Sequence, residues 1–392
     1  MSTDPRFRIA AVETQAFHHW VFARLRTEDE AGSGQVGWWA FPDATVAIID
    51  ALRPVLIGQD VRDTGRLWIE MYRAAPFRGG ALMSAIAALD QAAWDLKGRL
   101  LGLPAYQLAG GRQRDRAELM VLLGMRDWPR SATTASLVEE ARYWVGEGFT
   151  AVKLDPLLEG EGEAFHEQSH ARRIEAAYEV AAAVREEVGW DVDIALELHR
   201  KLGPAETVVL AEAMQPLRLL AIEDPLPPDS ISALAELGPK LGSVPLAAGE
   251  RQDSIYRFAD LLDADAAEFI RPDVGTAGGL TNCLKIAAMA EARHRRIVCH
   301  NFHSPFLTAA TLQLYAAIPN VGYLEWSPLD ELEPRSLLLE QPLEREGGAL
   351  LISEAPGLGV RIHSDAAERL GPFQRLPVQR GWRQDDGSIH YR

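Results

Sequence analysis

The stretch DIALELHRKLGPAETVVLAEAMQPLRLLAIEDP, residues 193–225, decides the fold of this 392-residue chain. It begins with a short apolar run, Ile194–Leu196, and continues through a helical segment, Ala205–Met214, to a second apolar run, Leu220–Ile222. A glutamate directly follows each apolar run. A strand, a helix and a strand in this order predict two parallel strands joined by a crossover helix.

The same unit recurs on both sides of this stretch. Further helical segments, such as Ile174–Glu187 and Leu280–Arg293, separate further short apolar runs. Eight strand candidates over about 210 residues match a TIM-type barrel, so we predict an α/β fold with a (β/α)8 barrel over residues 116–352. The eight candidates are Leu119–Leu123, Ala151–Leu154, Ile194–Leu196, Leu220–Ile222, Leu246–Ala248, Ala267–Ile270, Ile297–Cys299 and Gly322–Leu324.

The residues before the barrel have a different pattern, with strands first and helices after them. We predict antiparallel strands at Phe7–Val12 and Trp20–Arg26, and then a turn-rich segment, Asp29–Gly34, before a third short strand. Helices are predicted from about Asp43, from about Thr64 and over Leu82–Leu101. Residues 1–115 therefore form a predicted α+β domain. The tail, residues 353–392, is too short to fold alone and is predicted to pack back on that domain.

Composition excludes several classes of partner. Apolar residues make up 47% of the chain and charged residues 24%, which is typical of a globular protein, and the net charge is −16. A strongly negative protein is repelled by nucleic acid and by an anionic membrane. An anionic substrate is still possible, because a bound cation can reverse the local charge. The N-terminal residues lack the pattern of a signal peptide, and no apolar run is long enough to cross a membrane. The two cysteines, Cys283 and Cys299, form no CxxC motif, so we expect a cytoplasmic protein without disulfides.

Polar residues follow the predicted barrel strands at regular intervals. Their spacings are 26, 27, 23, 27 and 25 residues, about the length of one strand–helix unit. Each side chain is therefore expected at the same height on the carboxyl-terminal rim of the barrel, where active sites of this architecture lie. These residues are Glu197, Glu223, Glu250, Asp273, His300 and Glu325.

The first three of these residues are the predicted metal site. No Lys or Arg is apparent at the equivalent strand ends, and like charges held this close raise one another's pKa. A hard divalent cation removes the repulsion, and three oxygen ligands indicate Mg2+, or Mn2+, over zinc. The alternative is that Glu197, Glu223 and Glu250 are exposed loop residues at chance positions, which three matching strand ends argue against.

Two histidines are candidates for proton transfer. His300 and Asp273 follow neighbouring strands, so the carboxylate can fix one imidazole nitrogen and leave the other as a base. His303 is an alternative base, but it lies further from its strand end. His199 follows Glu197 by two residues, and in an extended segment both would face one cavity. The alternative is a supporting or surface histidine in a His-Arg-Lys loop.

Two further charged residues have open roles. Lys153 on the second barrel strand could hold a substrate carboxylate, or it could form a structural ion pair with a ligand glutamate. Glu325 on the last strand could donate a hydrogen bond to an enolate if crowding raised its pKa, or it could be a buried ion-pair partner.

Taken together, these residues resemble the enolase superfamily, in its mandelate-racemase-like branch of acid sugar dehydratases. The resemblance extends over nearly the whole chain. The motifs that carry it are RGGALMSAIAALDQAAWDLKG (78–98), LPAYQLAGG (103–111), IEDP (222–225), AAGE (247–250) and RPDVGTAGG (271–279).

The resemblance implies a capping domain, completed by the C-terminal tail, over a modified barrel. It implies Mg2+ on the three glutamates, a His300–Asp273 dyad as base, His199 as general acid and Glu325 as hydrogen-bond partner of the enolate. Substrate selection in such enzymes comes from capping-domain loops, here Phe17–Trp20 and Pro76–Gly79. The expected substrate-binding residues are therefore Lys153, His18, Trp20 and Arg78.

Some residues depart from the family's pattern. The first ligand is Glu197, where sugar dehydratases often have aspartate, and the second strand has Lys153-x-Asp155 where racemases have two lysines. The sixth strand ends in Asp273 and supplies no opposing lysine base. The segment CHNFHSP (299–305) is not a close copy of the galactonate dehydratase version. These differences argue against the two-lysine members and leave the sugar open.

The predicted function is a Mg2+-dependent dehydratase of a sugar-acid carboxylate, an aldonate or aldarate, which gives a 2-keto-3-deoxy acid. The ligand-x-His pair Glu197 and His199 is similar to that of galactonate and mannonate dehydratases and favours this function. Alternatives are a racemase or epimerase of a 2-hydroxy acid on the same scaffold, and a catalytically lapsed metal-binding protein. A barrel hydrolase would prefer histidine ligands. The expected partners are a small-molecule substrate and copies of the same chain, as a dimer or octamer, and neither nucleic acid nor a membrane.

Overall fold

The computed structural model describes residues 4–37, 41–126, 132–158, 168–376, 382–383 and 389–390. Within these ranges no helix combines the length and the apolar character that crossing a membrane requires.

A three-stranded antiparallel sheet and three helices form the first part of the chain. The strands are β1 (Ala11–Phe17), β2 (Trp20–Arg26) and β3 (Ala31–Gln35), in that order across the sheet. The helices are α1 (Pro42–Leu56), α2 (Thr64–Ala74) and α3 (Gly80–Leu101). Apolar side chains of the sheet and of all three helices form one buried cluster, separate from the main core of the barrel. We call this unit the cap.

Two predictions for the cap strands are wrong in position. The strand expected over Phe7–Val12 begins only at Ala11, because residues 5–7 form a short 3-10 helix. The supposed turn-rich segment is itself part of a strand, since β3 begins at Ala31. Its glycines allow the strand backbone to lie directly on α3, where a Cβ on Gly34 would be 1.9 Å from the carbonyl oxygen of Ala88. Glycine here indicates close packing of two backbones and not a turn.

This packing leads to a stability prediction. We expect Gly34→Ala to destabilise the protein by about 3 kcal/mol, because the added methyl group meets helix backbone, which cannot move away as a side chain could. Gly65→Ala is the matched control: a Cβ there meets nothing within 4 Å, and α2 should gain about 0.5–1 kcal/mol. Thermal denaturation followed by circular dichroism measures both. An unchanged midpoint for Gly34→Ala would contradict the proposed contact.

The eight predicted barrel strands are confirmed. They are β4 (Arg116–Leu122), β5 (Ala151–Leu154), β6 (Asp193–Glu197), β7 (Ala221–Glu223), β8 (Leu246–Ala248), β9 (Phe269–Ile270), β10 (Arg296–Ile297) and β11 (Leu324–Trp326). Strands β4 to β10 pair in sequence order, each parallel to the next. Strand β11 pairs in parallel with β4, and a parallel bridge between Ile297 and Val321 completes the ring. The fold is therefore a (β/α)8 barrel with an N-terminal α+β unit, as predicted.

Further helices and strands connect the barrel strands or follow them. The helices are α4 (Ala105–Leu108), α5 (Thr134–Gly146), α6 (His170–Val188), α7 (Pro204–Met214), α8 (Ile231–Leu237), α9 (Ile255–Asp263), α10 (Gly279–Glu291), α11 (Pro305–Ala317) and α12 (Ala366–Leu370). A hairpin of β12 (Arg345–Glu346) and β13 (Ala349–Leu351) follows the barrel, and β13 pairs antiparallel with β4. Strands β14 (Trp382–Arg383) and β15 (Ile389–His390) pair with each other.

The cap is anchored to the loop that leads from β9 into α10. Indole nitrogens of the cap donate to this loop and to the first turn of α10: Trp68 Nε1 to the Gly278 carbonyl at 2.7 Å, and Trp94 Nε1 to Thr281 Oγ1 at 2.9 Å. Asp90 accepts from the Thr281 amide at 2.9 Å. These contacts hold the cap beside the carboxyl-terminal end of the barrel strands.

The tail reaches the cap at the hairpin between β1 and β2. The amide of His18 donates to the Gly371 carbonyl at 3.1 Å, and the Gln374 amide donates to the His18 carbonyl at 2.5 Å. Phe17 and Pro372 also form an isolated antiparallel bridge. These contacts agree with a tail that returns to the cap, while the boundaries at residues 115 and 352 stay predictions.

Candidate active site

Three glutamates lie together at the carboxyl-terminal ends of β6, β7 and β8. Glu197 and Glu223 are register partners on adjacent parallel strands, and Glu250 follows β8 by two residues. One carboxylate oxygen from each lies within 4.8 Å of the other two. The exposed fractions of these residues are only 5%, 1% and 9%. Spacing along the sequence therefore located three carboxylates that lie together in space.

Two buried cations share this cluster, contrary to the prediction that no Lys or Arg accompanies the glutamates. Lys153 Nζ on β5 lies 3.1 Å from Glu197 Oε2 and 2.9 Å from Glu223 Oε2. Arg271, directly after β9, is completely buried, and its Nε lies 2.5 Å from Glu223 Oε1. Both cations also contact Glu325 Oε2 at 2.5 Å. Lys153 therefore makes the ion pair that was one of its two predicted roles.

Negative charge is still in excess around the strand ends. Among the described residues, six buried carboxylates and three buried Lys or Arg side chains line this region, apart from the Asp155–Lys201 pair. They are Glu197, Glu223, Asp224, Glu250, Asp273 and Glu325, and Lys153, Arg200 and Arg271. Burial raises the pKa of Glu223 well above its usual range and Glu197 adds to this, although Arg271 and Lys153 oppose the shift. An all-oxygen donor set with surplus negative charge fits a hard divalent cation.

His300 and Asp273 form a close pair beside the glutamates. His300 Nδ1 lies 2.5 Å from Asp273 Oδ2, and its Nε2 lies 4.0 Å from Glu250 Oε2. Burial favours the neutral ring, but Glu250 and Asp273 outweigh it and raise the pKa of His300 to about 9. The side chain of His303 is completely buried, and its Nε2 lies 2.7 Å from the same Asp273 oxygen. Asp273 thus fixes both rings, and His300 is the one next to the glutamates.

His199 lies in a strained turn directly after β6. Its φ is 47° and that of Arg200 is 63°, two successive left-handed residues that are not glycine. The His199 amide donates to Glu197 Oε1 at 3.0 Å, and its ring Nδ1 lies 2.8 Å from Asp155 Oδ2. The turn therefore places an imidazole immediately beside a candidate metal ligand, with 48% of its side chain exposed.

Glu325 differs from its predicted charge state. Burial alone would raise the pKa of this carboxyl, but Lys153 and Arg271 outweigh it and hold the pKa well below its usual range. The Asn301 amide also donates to Glu325 Oε1 at 3.0 Å. A group in this state accepts hydrogen bonds and cannot donate one. The contacts therefore favour the second of the two roles considered for Glu325, a buried ion-pair partner, because two cations offset the crowding by carboxylates.

The predicted cap residues lie in two different places. Trp20 Nε1 donates to the His303 carbonyl at 3.1 Å, so this loop reaches the catalytic side of the barrel. The His18 ring lies 4.8 Å from the Trp20 ring, and burial, with smaller effects of His19 and Arg335, lowers the pKa of His18 to about 4. Arg78 is exposed and its guanidinium lies over the Tyr72 ring at 4.1 Å. The structure thus brings His18 and Trp20 toward the site, whereas the guanidinium of Arg78 contacts Tyr72.

Sequence reasoning missed Arg271 and the roles of Asp155 and Lys201. Arg271 directly follows β9, so a search of every residue next to a strand end would have found it. The alternation expected between Glu197 and His199 does not apply, because the segment is not extended at His199. Lys201 Nζ lies 2.8 Å from Asp155 Oδ2, and no motif in the sequence pairs them.

Two family models match the chain. "Mandelate racemase / muconate lactonizing enzyme, N-terminal domain" matches residues 3–110, and "Enolase C-terminal domain-like" matches residues 136–366. Together they cover the cap and most of the barrel.

Curated relatives and solved structures agree with these matches. The D-galactonate dehydratase of Verminephrobacter eiseniae is 34% identical, covering 94% of this chain and 96% of the relative, and that of Xanthomonas campestris pv. campestris is 32% identical with the same coverage. A mandelate racemase/muconate lactonizing enzyme-like protein from Rubrobacter xylanophilus has a TM-score of 0.84 at 32% identity, covering 93% of this chain and 98% of that one. A putative galactarate dehydratase from Agrobacterium radiobacter, bound to sodium and L-malate, has a TM-score of 0.87 at 27% identity, covering 98% and 100%. The chain belongs to the mandelate racemase/muconate lactonizing enzyme branch of the enolase superfamily.

Proposed function

We propose that this protein is a Mg2+-dependent dehydratase that removes water from a sugar-acid carboxylate to give a 2-keto-3-deoxy acid. The observation that carries the proposal is a pair of histidines on opposite sides of one carboxylate cluster. His199 follows β6 and His300 follows β10, four strands apart in a ring of eight. Elimination of water needs a base at one carbon and an acid at the next, and this arrangement supplies both.

The enzyme class, without the metal or the residue roles, is that of an acid sugar dehydratase, which is a hydro-lyase. It is supported by curated relatives named D-galactonate dehydratase that match nearly the whole chain, and by a galactarate dehydratase-like neighbour that binds the dicarboxylate malate. The sugar, the metal and the individual residue roles belong to the proposal.

His300 is the proposed base. Its Nδ1 is occupied by Asp273, so Nε2 is the nitrogen available to remove the proton α to the substrate carboxylate. The charge of Glu250 is the largest single cause that raises the pKa of His300, so a cation on Glu250 would return the ring toward its neutral, basic form. Asp273 would then stabilise the imidazolium produced by proton removal.

His199 is the proposed acid. Hydroxide is a poor leaving group, so the 3-hydroxyl must receive a proton as its bond to carbon breaks. The His199 main chain is bonded to Glu197 and about half of its side chain is exposed, so in this proposal the free ring nitrogen reaches a substrate held by the cluster. The enol product then tautomerises to the keto acid.

Glu197, Glu223 and Glu250 would hold Mg2+, with Mn2+ as a substitute. When bound, the cation would serve as a Lewis acid for the substrate carboxylate and its α-hydroxyl. Lys153 and Arg271 form ion pairs with the glutamates and would stabilise negative charge that develops on the substrate. Glu325 contacts both of these side chains and orients them. In this proposal Glu325 is a hydrogen-bond acceptor, which replaces its predicted role as donor.

A sugar-acid screen is the direct test. We expect the purified protein with Mg2+ to convert at least one C5 or C6 aldonate or aldarate to a 2-keto-3-deoxy acid, and EDTA to abolish the reaction. Colorimetric detection of the keto acid measures it, with Glu118→Gln, an exposed strand residue at the opposite end of β4, as the control enzyme. No turnover across a complete library would contradict the proposal. Solvent exchange at the α-carbon without any keto acid would indicate a racemase or epimerase.

A further inference from the structure

The carboxylate of Asp155, directly after β5, has three hydrogen-bond partners. Its Oδ2 lies 2.8 Å from His199 Nδ1 and 2.8 Å from Lys201 Nζ. Its Oδ1 accepts from the Leu157 amide at 2.8 Å. Lys201 is itself buried and also donates to the Leu157 carbonyl at 3.2 Å. The position of the carboxylate is therefore fixed, and with it the position of any ring bound to it.

The same arrangement occurs at Asp273 on the other side of the barrel. There Oδ2 contacts His300 Nδ1 at 2.5 Å and a second side chain, His303, at 2.7 Å. Its Oδ1 accepts from the amide two residues on, Gly275, at 2.6 Å. Both aspartates thus bind the histidine through Nδ1, use one more side chain on the same oxygen, and hold the second oxygen with a backbone amide two residues later.

The backbone around His199 indicates that its ring needs such support. Two successive left-handed residues that are not glycine, His199 and Arg200, carry a steric cost in the backbone. Hydrogen bonds compensate this cost: the His199 amide reaches Glu197, and the Arg200 amide donates to the Asp224 carbonyl at 2.7 Å. These bonds fix the main chain. The ring, which is about half exposed, is fixed by Asp155.

We propose that Asp155 is a positioning residue that holds His199 as the Nδ1–H tautomer and aims its Nε2 at the leaving group, with Lys201 holding Asp155. The claim that Asp155 fixes the His199 tautomer depends only on the contacts described above. The claim that His199 then protonates the leaving group rests on the proposed dehydratase function. In that reaction His300 takes the α-proton and the C–H electron pair forms the new double bond. The C3–O bond breaks toward oxygen, which receives the Nε2 proton of the doubly protonated His199 ring and leaves as water.

The tautomer can be measured without any substrate. In 15N-histidine-labelled protein at a pH where the ring is neutral, we expect the His199 signal to show a protonated Nδ1 and a bare Nε2, assigned with a His199→Gln sample. In Asp155→Asn the amide can donate to Nδ1, so the proton should move to Nε2. A wild-type ring with its proton on Nε2 would overturn the proposal, whatever the protein catalyses.

The catalytic part is tested with two leaving groups. For Asp155→Asn we expect kcat with a hydroxyl-bearing substrate to fall roughly 100-fold or more with little change in KM, since a positioned acid typically contributes this much. With the 3-fluoro analogue, which needs no proton to leave, the loss should stay below about 5-fold. Exchange of the α-proton with deuterium should persist because His300 is untouched.

Asp193→Asn makes the same substitution at the opposite end of β6, where the carboxylate accepts from the Tyr323 hydroxyl, and should leave both rates near wild type. Equal losses with both leaving groups, or no loss with either, would overturn the catalytic role of Asp155. If the wild type dehydrates no acid sugar, the proposed function fails, and the tautomer measurement alone decides the positioning role.

Discussion

Replacing His300 with asparagine is expected to stop exchange of the substrate α-proton with solvent deuterium and to lower kcat by about 10^3–10^4-fold. The reason is that asparagine can fill much of the same space and donate to Asp273, but it has no nitrogen that accepts a proton at neutral pH. Proton NMR of the substrate in deuterated buffer measures the exchange, and keto-acid formation measures the overall reaction. Both should fail together, because proton removal precedes loss of the hydroxyl group.

Two further histidines provide controls for this substitution. His294 lies in the exposed turn between α10 and β10. Because its side chain is at the surface, His294→Asn should keep wild-type rates. His303 is completely buried against Asp273, so His303→Asn should slow exchange through the position of Asp273 but not abolish it. Exchange that continues in His300→Asn and stops in His303→Asn would assign the base to His303.

The period of the barrel explains why so much of the site was predictable. A repeated strand–helix unit brings every strand end to one rim, so a regular interval between polar residues along the chain becomes proximity in space. That rule located Glu197, Glu223 and Glu250, and it placed His300 beside Asp273. It needed no knowledge of side-chain contacts.

The charge state of Glu325 was not predictable in the same way. It depends on Lys153 and Arg271, which reach it from other strands, and Arg271 was overlooked because the prediction followed only the residues that end each strand. The glycine-rich strand β3 was mistaken for a turn for a related reason. Glycine permits both a turn and close backbone packing, and only the presence of α3 against Gly34 decides between them.

Replacing Glu223 with glutamine is expected to lower the affinity for Mg2+ at least about 100-fold, which titration calorimetry of the metal-free protein measures directly. The substitution keeps the size of the side chain and removes one negative charge from the cluster. Glu118→Gln on β4 is the matched control, because it removes the same charge at an exposed position whose partner is Arg116. Circular dichroism would verify that both variants are folded.

The expected loss is larger than the removal of one ligand charge suggests, because Glu223 also offsets two buried cations. Lys153 Nζ lies 2.9 Å from one of its oxygens and Arg271 Nε lies 2.5 Å from the other. With a neutral amide between them, both positive charges act on an incoming divalent cation with less compensation, in a region where burial weakens solvent screening. If Glu223→Gln bound Mg2+ as tightly as the wild type, Glu223 would serve only as the counter-ion of Lys153 and Arg271, and the metal ligands would have to be sought elsewhere on the rim.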